Sequence, residues 1–285
     1  MKQKRSIQAH HQCGLSSNVS DYQEKLGVAS NNKLNDLTGK EWKFATRSVI
    51  SKPYPINMQH KLRRQHGGQK PPELCADLIR TFTKKGALVL DPLAGVGGTL
   101  LGAILSHRRA IGFEINKKWI DIYYEVCTLE NFEPQPMQLG DAKVLLKSVE
   151  ENSIDFILTD VPYWVMDKVT KTRSRRAPVT HLSSFNHGTQ NTKEVWLEEM
   201  KAIFTECQRV LRWNRYLAIF VGDMYRGKQY HMLGAELAQA IENKHLVLKA
   251  NLVWYDVSKN LHVYGYPSAF IPSMIHQNIL VLRKE

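Results

Sequence analysis

A glycine-rich run in the first half of the chain has the residue types of a binding turn. This glycine turn reads Asp91-Pro-Leu-Ala-Gly-Val-Gly-Gly-Thr99 and follows a short apolar segment, Ala87-Leu-Val-Leu90. Glycines let a backbone approach a ligand closely and adopt positive φ angles. The turn lacks the GxGxxG spacing of dinucleotide sites and the Gly-Lys-Ser/Thr of Walker phosphate loops. The carboxylate of Asp91 favours a cationic ligand over a phosphate.

An acidic residue ends the next apolar segment. Glu114 follows Arg109-Ala-Ile-Gly-Phe113 and lies 23 positions after Asp91. Its carboxylate can accept hydrogen bonds from both hydroxyls of a ribose. A glycine turn followed by such an acid indicates a nucleoside cofactor. The alternative is a turn whose glycines only pack a helix on a strand.

A polar and aromatic run, Asp160-Val161-Pro162-Tyr163-Trp164, follows a third apolar segment. Asp160 can accept hydrogen bonds. Val161 precedes a proline, which favours an extended backbone that presents the Val161 carbonyl outward. Tyr163 and Trp164 offer flat faces for stacking. Two acceptors beside an aromatic face suit an exocyclic amino group on a planar base, and an aromatic turn that closes the sheet edge is the alternative.

Strand-like and helix-like patterns alternate around these runs. Short apolar segments predict strands, and apolar residues at helical spacing predict helices between them, as at 197–211. This alternation predicts an α/β fold with helices on both faces of the sheet. Ligands of such sheets bind at the carboxyl ends of strands, where the three runs are expected to lie.

The net charge of the 285-residue chain is +12 and is unevenly distributed. Residues 1–70 carry +9 and residues 164–195 carry +4, whereas residues 71–163 carry −4. A basic excess of this size favours a polyanionic partner, and a solvated basic surface is the alternative. Residues 1–40 are rich in Gln, Asn, Ser and Lys, which predicts a flexible lead-in to a domain at 41–285.

Several classes of protein are excluded by composition. No stretch approaches the roughly 18 consecutive apolar residues of a membrane span. The basic N-terminus is not followed by the apolar segment of a secretory signal. The four cysteines form no CxxC pair, and the histidines lack metal-ligand spacing. We therefore expect reduced thiols, a cytoplasmic location and no metal.

These runs together resemble the motifs of the S-adenosylmethionine-dependent DNA amino-methyltransferases, which methylate adenine N6 or cytosine N4. The glycine turn is similar to their Asp-Pro-Phe-x-Gly-x-Gly-Thr motif, and Asp160-Val-Pro-Tyr163 to their Asp/Asn/Ser-Pro-Pro-Tyr motif. Lys70-Pro-Pro-Glu-Leu74 resembles a Lys-Pro segment that precedes the glycine motif in this family. Gly140-Asp141-Ala142 resembles a segment that contacts the cofactor adenine, and residues 276–284 resemble the terminal strand. The resemblance spans about residues 42–285.

The resemblance implies a Rossmann-like, seven-stranded methyltransferase sheet whose last strand is antiparallel. It implies S-adenosyl-L-methionine as cofactor and a target base flipped into the pocket. In this scheme the glycine turn holds the methionine part of the cofactor. The implied cofactor-binding residues are Asp91, Pro92, Ala94, Gly95, Gly97, Gly98, Thr99, Glu114 for the ribose and Asp141 for the adenine amino group. The implied catalytic residues are Asp160 and Val161, which accept the two amino hydrogens, with Pro162 and the stacking residue Tyr163.

The sequence departs from the family pattern in the target-base motif. Val161 replaces the usual first proline, which keeps the carbonyl but lowers rigidity. Asp160 is typical of adenine-N6 members, whereas Trp164 resembles cytosine-N4 members, and adenine is favoured.

A large target-recognition domain is also missing, so we expect nucleic-acid contacts in the region 42–68 and in the basic insert 164–195. The expected phosphate-contacting residues are Arg63, Arg64, Lys168, Lys171, Arg173, Arg175 and Arg176. A disordered, solvated insert is the alternative for 164–195.

The predicted function is site-specific DNA methylation at an exocyclic amino group. An RNA methyltransferase acting on guanine N2 or adenine N6 is one alternative, because related motifs occur in such enzymes. A non-catalytic nucleic-acid-binding protein on the same scaffold is another. The sequence is also compatible with a homodimer.

Overall fold

Helices and strands alternate along the chain in a computed structural model that describes residues 27–162 and 192–285. The helices are α1 (Gly39–Ala45), α2 (His60–Arg63), α3 (Pro72–Phe82), α4 (Gly98–Leu105), α5 (Lys117–Leu129), α6 (Ala142–Leu145), α7 (Lys193–Val210) and α8 (Leu233–Ile241). The strands are β1 (Val49–Ile50), β2 (Leu88–Asp91), β3 (Arg109–Glu114), β4 (Met137–Leu139), β5 (Ile154–Asp160), β6 (Leu211–Val221), β7 (Met224–Arg226), β8 (Gln229–His231), β9 (Leu246–Tyr255) and β10 (His276–Lys284). Single 3₁₀ turns follow α2 and α6.

The described strands form a central sheet in the order β1-β9-β10-β6-β5-β2-β3-β4, and β7 and β8 form a separate hairpin. Strand β10 is antiparallel to both of its neighbours, and the other paired strands of the central sheet are parallel. The predicted α/β class with an antiparallel last strand is confirmed. The predicted count of seven strands is wrong by one in the described residues. The eighth strand is β1, where Val49 pairs with Val253 and Ile50 with Trp254.

Side chains of the inner strands alternate between two apolar cores, one on each face of the sheet. Val89, Phe156 and Leu158 contribute to the core that also contains residues of α3, α4 and α5. Leu90 and Ile157 contribute to the core that contains residues of α7 and α8. Strands covered on both faces require apolar residues at successive positions, which is why β2 and β5 have continuous apolar sequences.

The segment before α1 packs against this domain. Asn35 is 1% exposed and its side-chain amide donates to the Thr81 carbonyl at 2.6 Å. The Asp36 carboxylate accepts from the Lys85 backbone amide at 2.7 Å. Contacts therefore begin before the predicted domain boundary at residue 41, which stays a prediction. Among the described helices, none is both long and apolar enough to span a membrane.

The parallel strands β2, β3 and β5 end at the same edge of the sheet. Asp91 is the last residue of β2 and pairs in register with Gly112 of β3. Leu90 pairs with Ile157 of β5. This register brings the acids at the ends of the three strands to one edge, as expected from the sequence.

Candidate active site

The glycine turn connects β2 tightly to α4. The Ala94 amide donates to the Phe113 carbonyl and the Gly97 amide to the Ala94 carbonyl, both at 2.8 Å. Gly97 has a φ angle of 77°, and a Cβ on it would lie 2.2 Å from the Tyr123 ring. Glycine is therefore required at position 97 by conformation and by packing. Packing alone therefore accounts for the glycine at position 97.

Glu114 binds the glycine turn from the end of β3. Its Oε2 accepts from the Gly95 amide and its Oε1 from the Asn116 amide, both at 2.8 Å. The residue is 8% exposed. Burial raises the pKa of Glu114 to about 7, although the Asn116 and Gly95 amides lower it. Each carboxylate oxygen has a second lone pair, so Glu114 retains acceptor capacity for hydroxyl donors.

Asp91 is buried at the start of the glycine turn. Its Oδ1 accepts from the Thr159 hydroxyl at 2.7 Å and from the Leu93 amide at 3.1 Å. Burial raises the pKa of Asp91 to about 6, against the hydrogen bonds from Thr99, Thr159 and Leu93. Because Thr159 belongs to β5, its hydrogen bond joins the glycine turn to the strand that ends at Asp160.

The other predicted cofactor-binding residues lie beside these two acids. Thr99 is buried, and its hydroxyl donates to the Leu158 carbonyl at 3.3 Å. Asp141 follows β4 and caps α6 by accepting from the Lys143 amide at 2.8 Å. The Gly140 amide donates to the Glu114 carbonyl at 2.9 Å, which places Asp141 next to the end of β3. The remaining predicted residues lie within the glycine turn: Pro92, Ala94 and Gly98.

Asp160, Val161 and Pro162 form what we call the acceptor turn at the end of β5. Its backbone is fixed from two sides, because the Val161 amide donates to the Phe220 carbonyl at 3.2 Å and the Trp196 indole donates to the Pro162 carbonyl at 2.7 Å. Burial raises the pKa of Asp160, and the positive charge of Lys70 lowers it. Tyr163, predicted to stack on the base, lies outside the described residues.

Lys70 is a site residue that the sequence did not assign. Its ammonium forms an ion pair with the Asp160 carboxylate and donates to the Gly68 carbonyl at 3.2 Å. It also lies 5.3 Å from the centre of the Phe220 ring. The available signal was the Lys-Pro segment itself, but nothing in its spacing indicates a partner 90 positions later.

The two arginines predicted to contact phosphate differ in exposure. Arg64 is exposed. Arg63 is 2% exposed, and its guanidinium donates to the carbonyls of Met58 at 2.9 Å and Lys70 at 3.1 Å. We therefore reassign Arg63 from phosphate contact to holding the backbone at Lys70. The other predicted contacts lie outside the described residues: Lys168, Lys171, Arg173, Arg175 and Arg176.

Comparison with known proteins finds that the chain is similar to a DNA methylase family model and to Type II methyltransferases. Residues 2–125 match the N6_N4_Mtase family model, described as DNA methylase. The chain is 25% identical over 178 residues to the Type II methyltransferase M.BglII of Bacillus subtilis, covering 62% of this chain and 44% of that protein. It is 27% identical over 150 residues to the Type II methyltransferase M.HpaI of Haemophilus parainfluenzae, covering 51% and 40%. The predicted resemblance to DNA amino-methyltransferases is confirmed.

The match to these relatives is partial. The chain spans less than half the length of each of these two curated relatives. A solved structure, TrmN from Thermus thermophilus, superimposes with a TM-score of 0.54 at 15% identity, covering 82% of this chain and 55% of that one. At this identity the likeness supports the methyltransferase fold alone.

Proposed function

We propose that this protein transfers a methyl group from S-adenosylmethionine to an exocyclic amino group of a DNA base, with adenine N6 favoured over cytosine N4. One observation carries the proposal. The glycine turn and the acceptor turn meet at one sheet edge, where the Thr159 hydroxyl, next to Asp160, donates to Asp91 at 2.7 Å. A cofactor on the first turn and a base on the second would therefore be neighbours.

The acids at this edge fit the proposed cofactor chemically. S-adenosylmethionine carries an ammonium, a sulfonium and two ribose hydroxyls, and all of these seek acceptors or negative charge. Asp91 and the Gly95–Gly98 segment would hold the methionine part, Glu114 the ribose and Asp141 the adenine amino group. Asp91 and Glu114 are buried, which strengthens their interactions with a cation or hydroxyl donor. When bound, the cofactor supplies an electrophilic methyl group on positively charged sulfur.

The acceptor turn would orient the target nitrogen. Asp160 would accept one amino hydrogen and the Val161 carbonyl the other, which holds the nitrogen lone pair toward the incoming methyl group. An ionised Asp160 also stabilises the positive charge that develops on nitrogen and can take up the proton released from it. Stacking of the base on Tyr163 is part of the proposal through the resemblance.

DNA is the proposed partner, in keeping with the net charge of +12. Arg64 and the basic residues of the insert 164–195 are the proposed phosphate contacts, and such contacts position a protein without specifying sequence. The preference for adenine rests on Asp160, because aspartate at that position is typical of the adenine type. The proposal includes a cytoplasmic location and a methyltransferase domain formed by residues 41–285.

The test is to incubate the purified protein with tritiated S-adenosylmethionine and genomic DNA, with total RNA in parallel, and to identify the labelled nucleoside after digestion. Label in N6-methyladenine from DNA is the expected result. Label in N4-methylcytosine would keep the reaction and change the base. Label in RNA alone would mean that the substrate is RNA and not DNA. Binding of the cofactor without any methyl transfer would favour a non-catalytic role.

A further inference from the structure

The ammonium group of Lys70 is buried where the glycine turn and the acceptor turn meet. Its side chain is 8% exposed, against 63% for Lys52, which pairs with Asp77 on the surface. Burying a charged lysine without a counter-charge is costly, and so is burying a carboxylate. Asp160 supplies this counter-charge through its ion pair with Lys70, and the charge of Lys70 in turn favours the carboxylate form of Asp160.

The backbone that carries Lys70 is fixed from several directions. The buried Arg63 guanidinium donates to the Lys70 carbonyl at 3.1 Å. Pro71 and Pro72 follow directly, and proline restricts φ to a narrow range. The same carbonyl faces the start of α4, where a Cβ on Gly98 would lie 3.2 Å from it. Lys70 thus reaches Asp160 from a rigid support that also touches the glycine turn.

Among the described residues, four ionisable groups lie within electrostatic reach of Asp160. Lys70 lowers its pKa most, and Lys259, from the loop after β9, lowers it less. Asp91 is a negative neighbour, since the charge of Asp160 in turn raises the pKa of Asp91. Cys75 of α3 also lies within electrostatic reach, but its pKa is raised to about 12 by burial, so its thiol is neutral. Among the described residues, Lys70 is therefore the main group that opposes protonation of Asp160, whose side chain is 26% exposed.

We propose that Lys70 is a positioning residue for methyl transfer: it engages Oδ2 of Asp160 and leaves Oδ1 as an ionised acceptor for the target amino group. The proposal rests on the proposed function. A protonated Asp160 stabilises positive charge on the nitrogen less than a carboxylate does, and it cannot take up the released proton. Loss of the Lys70 ammonium therefore lowers the transfer rate most at acidic pH.

The experiment compares Lys70→Met with the charge-keeping Lys70→Arg. Lys52→Met is the matched control, because Lys52 also pairs with an aspartate and lies 5.1 Å from the centre of an aromatic ring, that of Tyr54. Three quantities are measured: kcat/KM for DNA between pH 5 and 9, the Kd for S-adenosylmethionine, and the titration of Asp160. The last is followed by ¹³C NMR of labelled aspartate, with the Asp160 signal assigned by its loss in Asp160→Asn.

In Lys70→Met we expect the pKa of Asp160 to rise by about 1–3 units, the range typical of removing a close opposite charge. The acidic limb of kcat/KM should move by the same amount, while the Kd for cofactor changes less than about threefold. Lys70→Arg should keep the limb within about half a unit of its wild-type position, because the opposite charge remains. Lys52→Met should behave as wild type.

An acidic limb that does not move in folded Lys70→Met overturns the proposal, as does an equal loss of activity at every pH in the Met and Arg variants. If Lys70→Met does not fold, the test uses the wild-type protein, in which the pH of Asp160 titration is compared with that of the acidic limb of kcat/KM. Titration of Asp160 together with the acidic limb then supports the proposal, and titration at a different pH overturns it. Failure of the proposed function can be distinguished from failure of the Lys70 proposal, because in the former case the wild-type protein itself transfers no label to nucleic acid.

Discussion

The two turns of the proposed site hold their acids in different ways. At the glycine turn, Glu114 of β3 accepts from two backbone amides, and Asp91 accepts from the Leu93 amide and the Thr159 hydroxyl. In the acceptor turn, Asp160 is paired with the side chain of Lys70. A carboxylate held by backbone amides keeps its geometry whatever side chains surround it. A carboxylate held by a lysine depends on one distant residue, so its charge and position can be changed by a single substitution.

The largest expected effect lies in the acceptor turn. Asp160→Asn keeps the shape but removes the negative charge, and the variant presents an amide that can donate as well as accept. We expect methyl transfer to fall by about a hundredfold to a thousandfold, the scale of removing one preorganised electrostatic group. The Kd for S-adenosylmethionine, measured by calorimetry, should stay within about threefold of wild type. Transfer within tenfold of wild type would contradict the role of Asp160.

A substitution in the glycine turn should instead affect the fold. Gly97→Ala places a Cβ against the Tyr123 ring at a positive φ of 77°. We expect a loss of about 2–5 kcal/mol in the free energy of unfolding, from overpacking and left-handed strain together. The control is Gly86→Ala, where φ is 76° and nothing lies within 4 Å, so that only strain remains. Urea unfolding of both variants measures the difference, and equal losses would show that packing on Tyr123 is unimportant.

The third prediction concerns pH. Because burial raises the pKa of Glu114 to about 7, its protonated form stabilises the fold at low pH, and this contribution is lost as pH rises through 7. If the ionised form binds the ribose, cofactor affinity should rise by about tenfold between pH 6 and 8. Titration calorimetry at several pH values measures this dependence.

Glu114→Gln should remove that dependence and leave only a weaker one centred near pH 6, which belongs to Asp91. Asp77→Asn, a surface variant, should keep the wild-type dependence. If the affinity of the wild-type protein for S-adenosylmethionine did not change with pH, the proposed role of Glu114 in binding the ribose would be wrong.

The smallest effect is expected at the Trp196 indole. Trp196→Phe keeps an aromatic ring and removes the donor to the Pro162 carbonyl at 2.7 Å. We expect a loss of about 1 kcal/mol in the free energy of unfolding and a severalfold fall in kcat. Trp213→Phe, at an exposed position, is the control. A kcat equal to that of wild type would show that this hydrogen bond does not position the acceptor turn.

The parts of the molecule that could be predicted from sequence are those with local signals. Short apolar segments and helical spacing predicted β2, β3, β5 and α7 because burial imposes those periods directly. The strand β1 could not be predicted, because a two-residue strand has no period and exists through its pairing with β9.

The same limit applies within the candidate site. The sequence predicts Asp91, Glu114 and Asp160 as site residues because each ends an apolar segment. The roles of Lys70 and Arg63 depend on contacts formed only after folding, so neither role could be predicted from the sequence. The sequence predicts Arg63 as a phosphate contact, whereas the structure buries it with its guanidinium donating to the Lys70 carbonyl.

The short strand β1 also affects how the protein avoids edge-to-edge aggregation with other copies of the chain. An edge strand exposes unpaired backbone groups that can pair with a strand of another chain. Proteins protect such edges with short strands and lysines. Here β4, at one border, has three residues, and β1, at the other, has two. Between residues 246 and 252, β9 continues past β1 with an apolar sequence interrupted by Lys249 and Asn251, and Lys249 pairs with Glu285 at 2.8 Å. In the described residues, this edge is therefore protected by the two-residue strand β1, by Lys249 and by Glu242, which accepts from the Leu248 amide at 3.0 Å.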